Sequence, residues 1–287
     1  MKRMLIAVAA TTGLLASGLT PLPAMAAAPL VYVAMGDSFA AGSLVLPAKE
    51  LLTCARSAVN YASLVAKELK PAKFRDVTCG GATTTHFANP QSGIIAGKAA
   101  PQYDALSEDT TVVSVGIGGN DIGLVGLAFS CVNLLPQGVG TSCKATNTAG
   151  GVDKLAQKID AFAATYGTVI EEIRSRAPHA KILMVSYPTG IKKSGCWPVV
   201  PVWSQDADYL QSALTRLNLR MKEQASAHGA TYVDLATPSV GHDMCKPAGT
   251  RWIEGLIPSL TTNGLVPLHP NAAGLRNAVP TVLAALG

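Results

Sequence analysis

The stretch Leu30-Val31-Tyr32-Val33-Ala34-Met35-Gly36-Asp37-Ser38-Phe39-Ala40-Ala41-Gly42 sets an apolar run directly against a glycine-bounded polar turn. Leu30–Ala34 is rich in β-formers and nearly continuous in apolar character, the pattern of a strand covered on both faces, as in a parallel sheet. Four more such runs follow: Phe74–Val77, Thr111–Val115, Lys181–Ser186 and Thr231–Leu235. Between them the apolar period changes from strand to helix. Leu155, Ile159, Phe162, Tyr166, Val169 and Ile173 mark one face of a long helix, and Leu210, Leu214, Leu217 and Met221 mark another. Ala58, Tyr61, Val65 and Leu69 repeat the pattern ahead of the second run. Strands alternating with helices predict βαβ units, and so an α/β fold: a three-layer α/β/α sandwich around a five-stranded parallel sheet.

The chain surrounding this pattern has 287 residues, 48% of them apolar and 14% charged, which excludes a disordered tail and supplies ample core. It opens with Met1-Lys2-Arg3, an apolar run over Met4–Leu19 and Ala24-Met25-Ala26. A cationic start, an apolar centre and small residues at −3 and −1 read as an export signal over residues 1–26. An uncleaved anchor is the competing reading, but the run is short for a spanning helix of about 20 residues. Cleavage after Ala26 leaves 261 residues, 27–287, expected as one domain with no linker or repeat. It also lowers the formal charge from +5 to +3, since Lys2 and Arg3 leave and no acid does. So weak and scattered an excess excludes a nucleic-acid partner. No later segment is long and apolar enough to span a bilayer, so a soluble exported protein, acting as a monomer outside the cell or in its envelope, is expected.

Export changes the meaning of the six cysteines, all of which lie in the mature chain, because thiols oxidise outside the cytosol. Six cysteines permit 15 pairings; short loops favour Cys54–Cys79, Cys131–Cys143 and Cys196–Cys245. There is no CxxC pair, so a metal site is not expected. Gly123–Gly151, rich in Gly, Thr and Asn, reads as a loop excursion stapled by Cys131–Cys143, and Gly190–Gln205 as a second loop.

In open α/β sheets ligands bind outside the carboxyl ends of the strands, which singles out the residues directly after each run. These are Gly36-Asp37-Ser38-Phe39 after the first, Cys79-Gly80-Gly81-Ala82 after the second and Gly118-Gly119-Asn120-Asp121 after the third. Near the C-terminus stands Leu268-His269-Pro270-Asn271. These four blocks, in this order from Met35 to Gly274, resemble the GDSL family of SGNH hydrolases, and the cysteines and export signal look most like its secreted bacterial lipase and esterase branch. The resemblance implies a flavodoxin-like α/β/α sandwich and hydrolysis of acyl esters with no cofactor. It also implies Ser38 as nucleophile, His269 as general base, and the Ser38 N–H, the Gly81 N–H and the Asn120 side chain as donors to the oxyanion. The chemistry agrees: a serine hydroxyl needs a base, and imidazole has a pKa near working pH. A side-chain-free residue at 81 would also let the backbone approach substrate closely.

The chain departs from the family pattern at one point. Where most members carry an aspartate three residues before the histidine, it reads Val266-Pro267-Leu268-His269. The backbone carbonyl of Val266 or Pro267 is therefore expected to orient the ring, giving a Ser–His dyad; Asp243 swinging in is the rival. His242 is the competing base. Asp37 is expected to organise its loop through amide hydrogen bonds and Asp121 to cap a helix. His86 follows the Gly81 loop and reads equally as pocket lining or exposed loop, and Trp197, Trp203 and Trp252 read either as acyl-pocket lining or as core cover. Two alternatives to a lipase or esterase stand: a carbohydrate acetyl esterase, and a non-catalytic cell-envelope binding module that kept the fold.

Overall fold

The computed structural model describes residues 29–287, so the expected leader lies outside the described residues. Five strands, β1 (Val31–Gly36), β2 (Lys73–Asp76), β3 (Val112–Gly116), β4 (Lys181–Val185) and β5 (Thr231–Val233), form one parallel sheet. Its order is β2-β1-β3-β4-β5. The order reverses between β1 and β3, and the register Gly36↔Gly116 brings those two strands to an end side by side. Connections leave a sheet in opposite directions at such a switch point and open a crevice there.

The strands alternate because both faces are covered. Val33, Met35, Val113, Val115, Ile182 and Met184 pack on one side with residues of helices α5 (Lys154–Arg176) and α6 (Ser204–Ala227), among them Ile159, Ile173, Leu217 and Met221. Tyr32, Ala34, Leu183, Val185 and Val233 pack on the other with α2 (Tyr61–Leu69) and α7 (Ala272–Ala284). Three short helices follow β1 and β3 at the carboxyl edge of the sheet: α1 (Ser38–Ala41), α3 (Gly119–Ile122) and α4 (Leu124–Ser130).

Several boundaries differ from the sequence reading, each for a local reason. β1 runs on to Gly36 and β3 to Gly116 because their glycines still pair. β5 stops at Val233, since Asp234 Oδ1 accepts from the Ala236 and Thr237 amides and turns the chain. The helix expected from Ala58 begins at Tyr61, where Asn60 caps it by accepting from the Ser63 amide at 2.8 Å. The expected loop 123–151 holds α4 and a turn over Cys143–Asn147, whose cap Ser142 bonds the buried Asp206 of α6 at 2.6 Å. The bonded cysteines are Cys54–Cys79, Cys131–Cys143 and Cys196–Cys245. Among the described residues no helix is long and apolar enough to cross a membrane.

Candidate active site

The end of β1 fixes the first group. Gly36 has φ +143°, and a Cβ there would meet the Gly116 carbonyl oxygen at 2.3 Å, so only glycine fits this close strand pair. Asp37 then donates its N–H to Gly116 O at 2.9 Å and accepts from the Phe39 amide at 2.9 Å, which starts α1 with Ser38 as its first residue. Asp37 Oδ2 also accepts from the Tyr187 hydroxyl. Burial pushes the Asp37 carboxyl up to about 7, against the Tyr187 and Phe39 bonds, which pull it down. Asp37 thus organises the turn as its sequence position suggested.

Across 231 residues of chain, Ser38 Oγ lies 2.8 Å from His269 Nε2, and both side chains are buried. The other ring nitrogen, Nδ1, lies 2.8 Å from the Pro267 carbonyl oxygen. A carbonyl can only accept, so Nδ1 carries the proton and Nε2 is left to accept from the serine. Burial pulls the His269 pKa below that of an ordinary imidazole, and the Pro267 bond offsets this only in part. Of the two carbonyls expected to orient the ring, that of Pro267 makes the bond. Asp243 faces elsewhere: its Oδ1 accepts from the Cys245 amide at 2.9 Å. His242 bonds the Thr250 carbonyl and stacks on Trp252 with ring centroids 4.0 Å apart, away from Ser38.

The loops after β2 and β3 are tied to each other. Asn120 Nδ2 donates to the Ala82 carbonyl at 2.8 Å, one residue past Gly81. Asp121 does not cap a helix; it accepts from the Thr84 amide at 3.0 Å and hydroxyl at 2.6 Å, while Gly118 takes the cap position of α3. Gly119 donates to the Tyr187 hydroxyl at 2.8 Å, so Tyr187 joins this loop to Asp37. Gly81 is exposed and has φ +74°, and a Cβ there would approach nothing nearer than Gln91 Nε2 at 3.7 Å. The glycine at 81 is therefore required by its left-handed backbone, not by lack of room. Among the described residues neither the Ser38 nor the Gly81 N–H is engaged in a hydrogen bond.

Residues 34–276 match the GDSL-like lipase/acylhydrolase family. The chain belongs to that family. It is 37% identical over 302 residues to Lipase 2 of Streptomyces coelicolor, covering all of this chain and 98% of that one. It is 30% identical to Lipase 1 of the same organism, over 88% of this chain and 85% of the other. The crystal structure of an extracellular lipase from Streptomyces rimosus superposes with a TM-score of 0.72 at 26% identity, over 89% of this chain and 99% of that one. The phospholipase A1 structure from Streptomyces albidoflavus gives the same TM-score and identity over 90% and 100%. The protein is accordingly a carboxylic-ester hydrolase of the GDSL type.

Two features of this family member lay beyond the sequence reading. Glu254, fully buried, holds the histidine segment. Its Oε1 accepts from Asn271 Nδ2 at 2.8 Å, and its Oε2 from Arg251 at 2.5 Å and the Ser259 amide at 2.9 Å. Burial pushes the Glu254 carboxyl up, yet the bonds from Asn271, Ser259, Thr262 and Arg251 together hold it below the ordinary value. Its backbone amide also donates to His269 O at 2.9 Å. The second feature is Phe39, whose ring lies 4.7 Å from the His269 ring and forms a wall shared by two apolar cavities. One encloses ≈ 680 Å³, solvent at its mouth included, between Leu124, Ala128, Ile191, Met244 and Leu268. The other encloses ≈ 550 Å³ against Tyr61, Leu235, Trp252 and Ala278. Trp252 lines the second cavity; the indoles of Trp197 and Trp203 donate to Asn133 O and Leu135 O as loop cover. His86 Nδ1 accepts from the Thr83 amide at 3.0 Å within its own turn.

Proposed function

We propose that this enzyme is an exported, single-domain hydrolase of lipid acyl esters that works through an acyl-enzyme on Ser38. The observation that carries the reading is the 2.8 Å contact between Ser38 Oγ and His269 Nε2, with Nδ1 turned to a carbonyl. His269 takes the serine proton as Oγ attacks the ester carbonyl carbon. The electron pair displaced onto the carbonyl oxygen is held by the Ser38 and Gly81 N–H groups and by Asn120. The imidazolium then protonates the leaving alcohol, and the C–O bond breaks. Water, deprotonated by the same ring, attacks the acyl-enzyme, and the returning proton frees Ser38. A carbonyl partner fixes the tautomer but offers the imidazolium no full negative charge, so the cation is stabilised less than in a carboxylate triad.

The lipid reading rests on the aliphatic lining of the groove beside Phe39 and Leu268, and on the lipases and phospholipase A1 among the similar proteins. Export is supported by the leader pattern and by three disulfides, which persist in oxidising compartments. Labelling with a fluorophosphonate tests the nucleophile: the adduct is expected on Ser38 and absent from Ser38→Ala. A p-nitrophenyl ester series tests the substrate. Turnover of octanoate and longer esters above acetate is expected, and a sharp preference for acetate would replace the lipid reading with carbohydrate deacetylation.

A further inference from the structure

Ser38 stands in the segment after β1 and Asn120 in the segment after β3, so whatever ties those two segments sets the distance between nucleophile and oxyanion donor. Among the described residues their last direct hydrogen bond runs from the Asp37 N–H to Gly116 O at 2.9 Å. Beyond it a single hydroxyl spans the gap. Tyr187, two residues past the end of β4, donates to Asp37 Oδ2 and accepts from the Gly119 N–H at 2.8 Å. Asp37 immediately precedes Ser38, and Gly119 immediately precedes Asn120. A phenol has one hydrogen to give, and here it goes to one segment while the oxygen holds the other.

Tyr187 is itself held from several sides. It is buried, and its backbone N–H and carbonyl both bond the side-chain amide of Asn218 on α6, at 3.0 and 2.8 Å. Its ring packs edge-on against Phe39 with centroids 5.0 Å apart. The far loop is seated directly on the phenol: a Cβ at Gly119 would lie 3.1 Å from Tyr187 Oη and 3.3 Å from Cζ. A second buried tyrosine, Tyr166 of α5, bears on the same loop, donating to Ile117 O at 3.0 Å. Among the described residues Tyr166 makes no hydrogen bond to the segment after β1, so it steadies one loop where Tyr187 relates two.

We infer that Tyr187 is a positioning residue, whose hydroxyl sets the Asn120 donor against Ser38 by holding Asp37 and Gly119 together. The inference rests on the catalytic reading of Ser38 and Asn120. Tyr187 bonds neither of those side chains and acts only through their neighbours. A donor stabilises an oxyanion only from the place where charge develops, so a small shift between the two segments lowers the rate while leaving ground-state binding intact. Tyr187 also lines the cavity beside Phe39 and Trp252, which makes substrate contact the competing role. That role would be read in KM.

Tyr187→Phe keeps the ring and removes the hydroxyl. With a soluble butyrate ester, kcat is expected to fall about ten- to hundredfold while KM stays within about twofold. Tm is expected to fall too, since the Gly119 N–H and one Asp37 oxygen lose their partner. Combination with Asn120→Ala separates positioning from plain destabilisation. If Tyr187 acts through Asn120, the double variant is expected within about threefold of Asn120→Ala alone, whereas independent losses would multiply. Tyr166→Phe is the control, expected to lower Tm and leave kcat within about twofold of wild type. Gly119→Ala presses a methyl on the phenol without removing any hydrogen-bonding group. It keeps the test open should Tyr187→Phe not fold, and is expected to lower kcat at constant KM, again without multiplying the Asn120→Ala loss. Wild-type kcat in folded Tyr187→Phe or Gly119→Ala, losses that multiply, or a rise in KM alone would overturn the positioning role. A slowed Asn120→Ala beside a full-speed Tyr187→Phe would overturn that role and keep the oxyanion site; full speed in Asn120→Ala would overturn both.

Discussion

Asn120 is the site residue whose loss should be read most directly in rate. Its side-chain amide already gives one hydrogen to Ala82 O, which fixes the group and leaves the other hydrogen for charge that develops only in the transition state. Asn120→Ala is expected to lower kcat by about 10²–10³ with KM little changed; steady-state kinetics on a soluble ester check this, and an unchanged kcat would exclude Asn120 from the oxyanion site. As the proposed base, His269 sets the acid side of the pH profile. Because burial lowers the His269 pKa, the neutral ring persists below the ordinary 6.5, so kcat/KM is expected to fall only beneath that pH. Asp37 moves the other way, from 3.8 to about 7, so the folded state holds its proton more tightly than the unfolded chain does. Its contribution to stability is present at low pH and is lost as pH rises through that window. Asp37→Asn keeps an acceptor for the Phe39 amide and puts its NH2 where Tyr187 bonds the second oxygen, so relative to wild type it should gain stability as pH climbs toward 7 while leaving the acid limb of His269 in place. Denaturant melts and pH–rate profiles of the variant check the two halves separately. Phe39 governs a third property: its ring separates the two apolar cavities, so Phe39→Ala is expected to join them and shift the ester series toward longer chains.

At the scale of the element, helix α7 does more than cover the sheet. Its cap, Asn271, accepts from the Ala273 and Gly274 amides at 3.0 and 3.1 Å and donates to Arg251 O and Glu254 Oε1. The cap therefore ties the start of α7 to the segment that bonds His269. Asn271→Ala removes the cap and leaves a buried carboxylate oxygen short of a donor, at an expected cost of about 2–4 kcal/mol. Thermal melts measure that cost. A fall in kcat with KM held, at a temperature where the variant is folded, would show that the latch positions the base as well as stabilising the chain. The strands and the long helices were legible in the sequence because burial on both faces, or on one helical face, leaves a periodic record. Ser38, Gly81, Asn120 and His269 drew notice because their blocks stand after strands or ahead of a helix and, taken together in order, resemble one family's pattern. Tyr187 and Glu254 were not: Tyr187 meets Asp37 across 150 residues and Glu254 meets Asn271 across 17, and neither partner shares a local pattern with it. Helix α4 was hidden for a different reason, since it is only seven residues long, Gly126 interrupts its apolar face, and Gly123 caps it without a side-chain signal.

Across the whole molecule, the sheet gathers the candidate site on one edge and must hold long connections there that carry only short helices and two-stranded ribbons of their own. Disulfides perform part of that task, and their positions imply distinct consequences. Cys196–Cys245 closes 49 residues and links the connection after β4 to that after β5, neither cysteine adjoining a group in the Ser38–His269 pair. In chain-entropy terms its loss costs about 4 kcal/mol, and that of Cys54–Cys79, closing 25 residues, about 3.5 kcal/mol. The shorter bridge stands directly before Gly80-Gly81, where Gly80 also donates to Cys54 O at 2.9 Å and accepts from Gln91 at 2.7 Å. Opening it releases the backbone that presents the Gly81 N–H, and a donor displaced by a fraction of its hydrogen-bond length stabilises the oxyanion less. Paired substitutions should therefore separate stability from rate. Cys196→Ser with Cys245→Ser is expected to lower Tm while keeping kcat near wild type at a temperature where the variant is folded. Cys54→Ser with Cys79→Ser is expected to lower Tm by a similar or smaller amount and to cut kcat as well, with KM for a short ester little changed. Equal kcat in the two variants would mean that the Gly81 loop holds its shape without its bridge, leaving the Asn120–Ala82 and Gly80–Gln91 bonds as its sufficient supports.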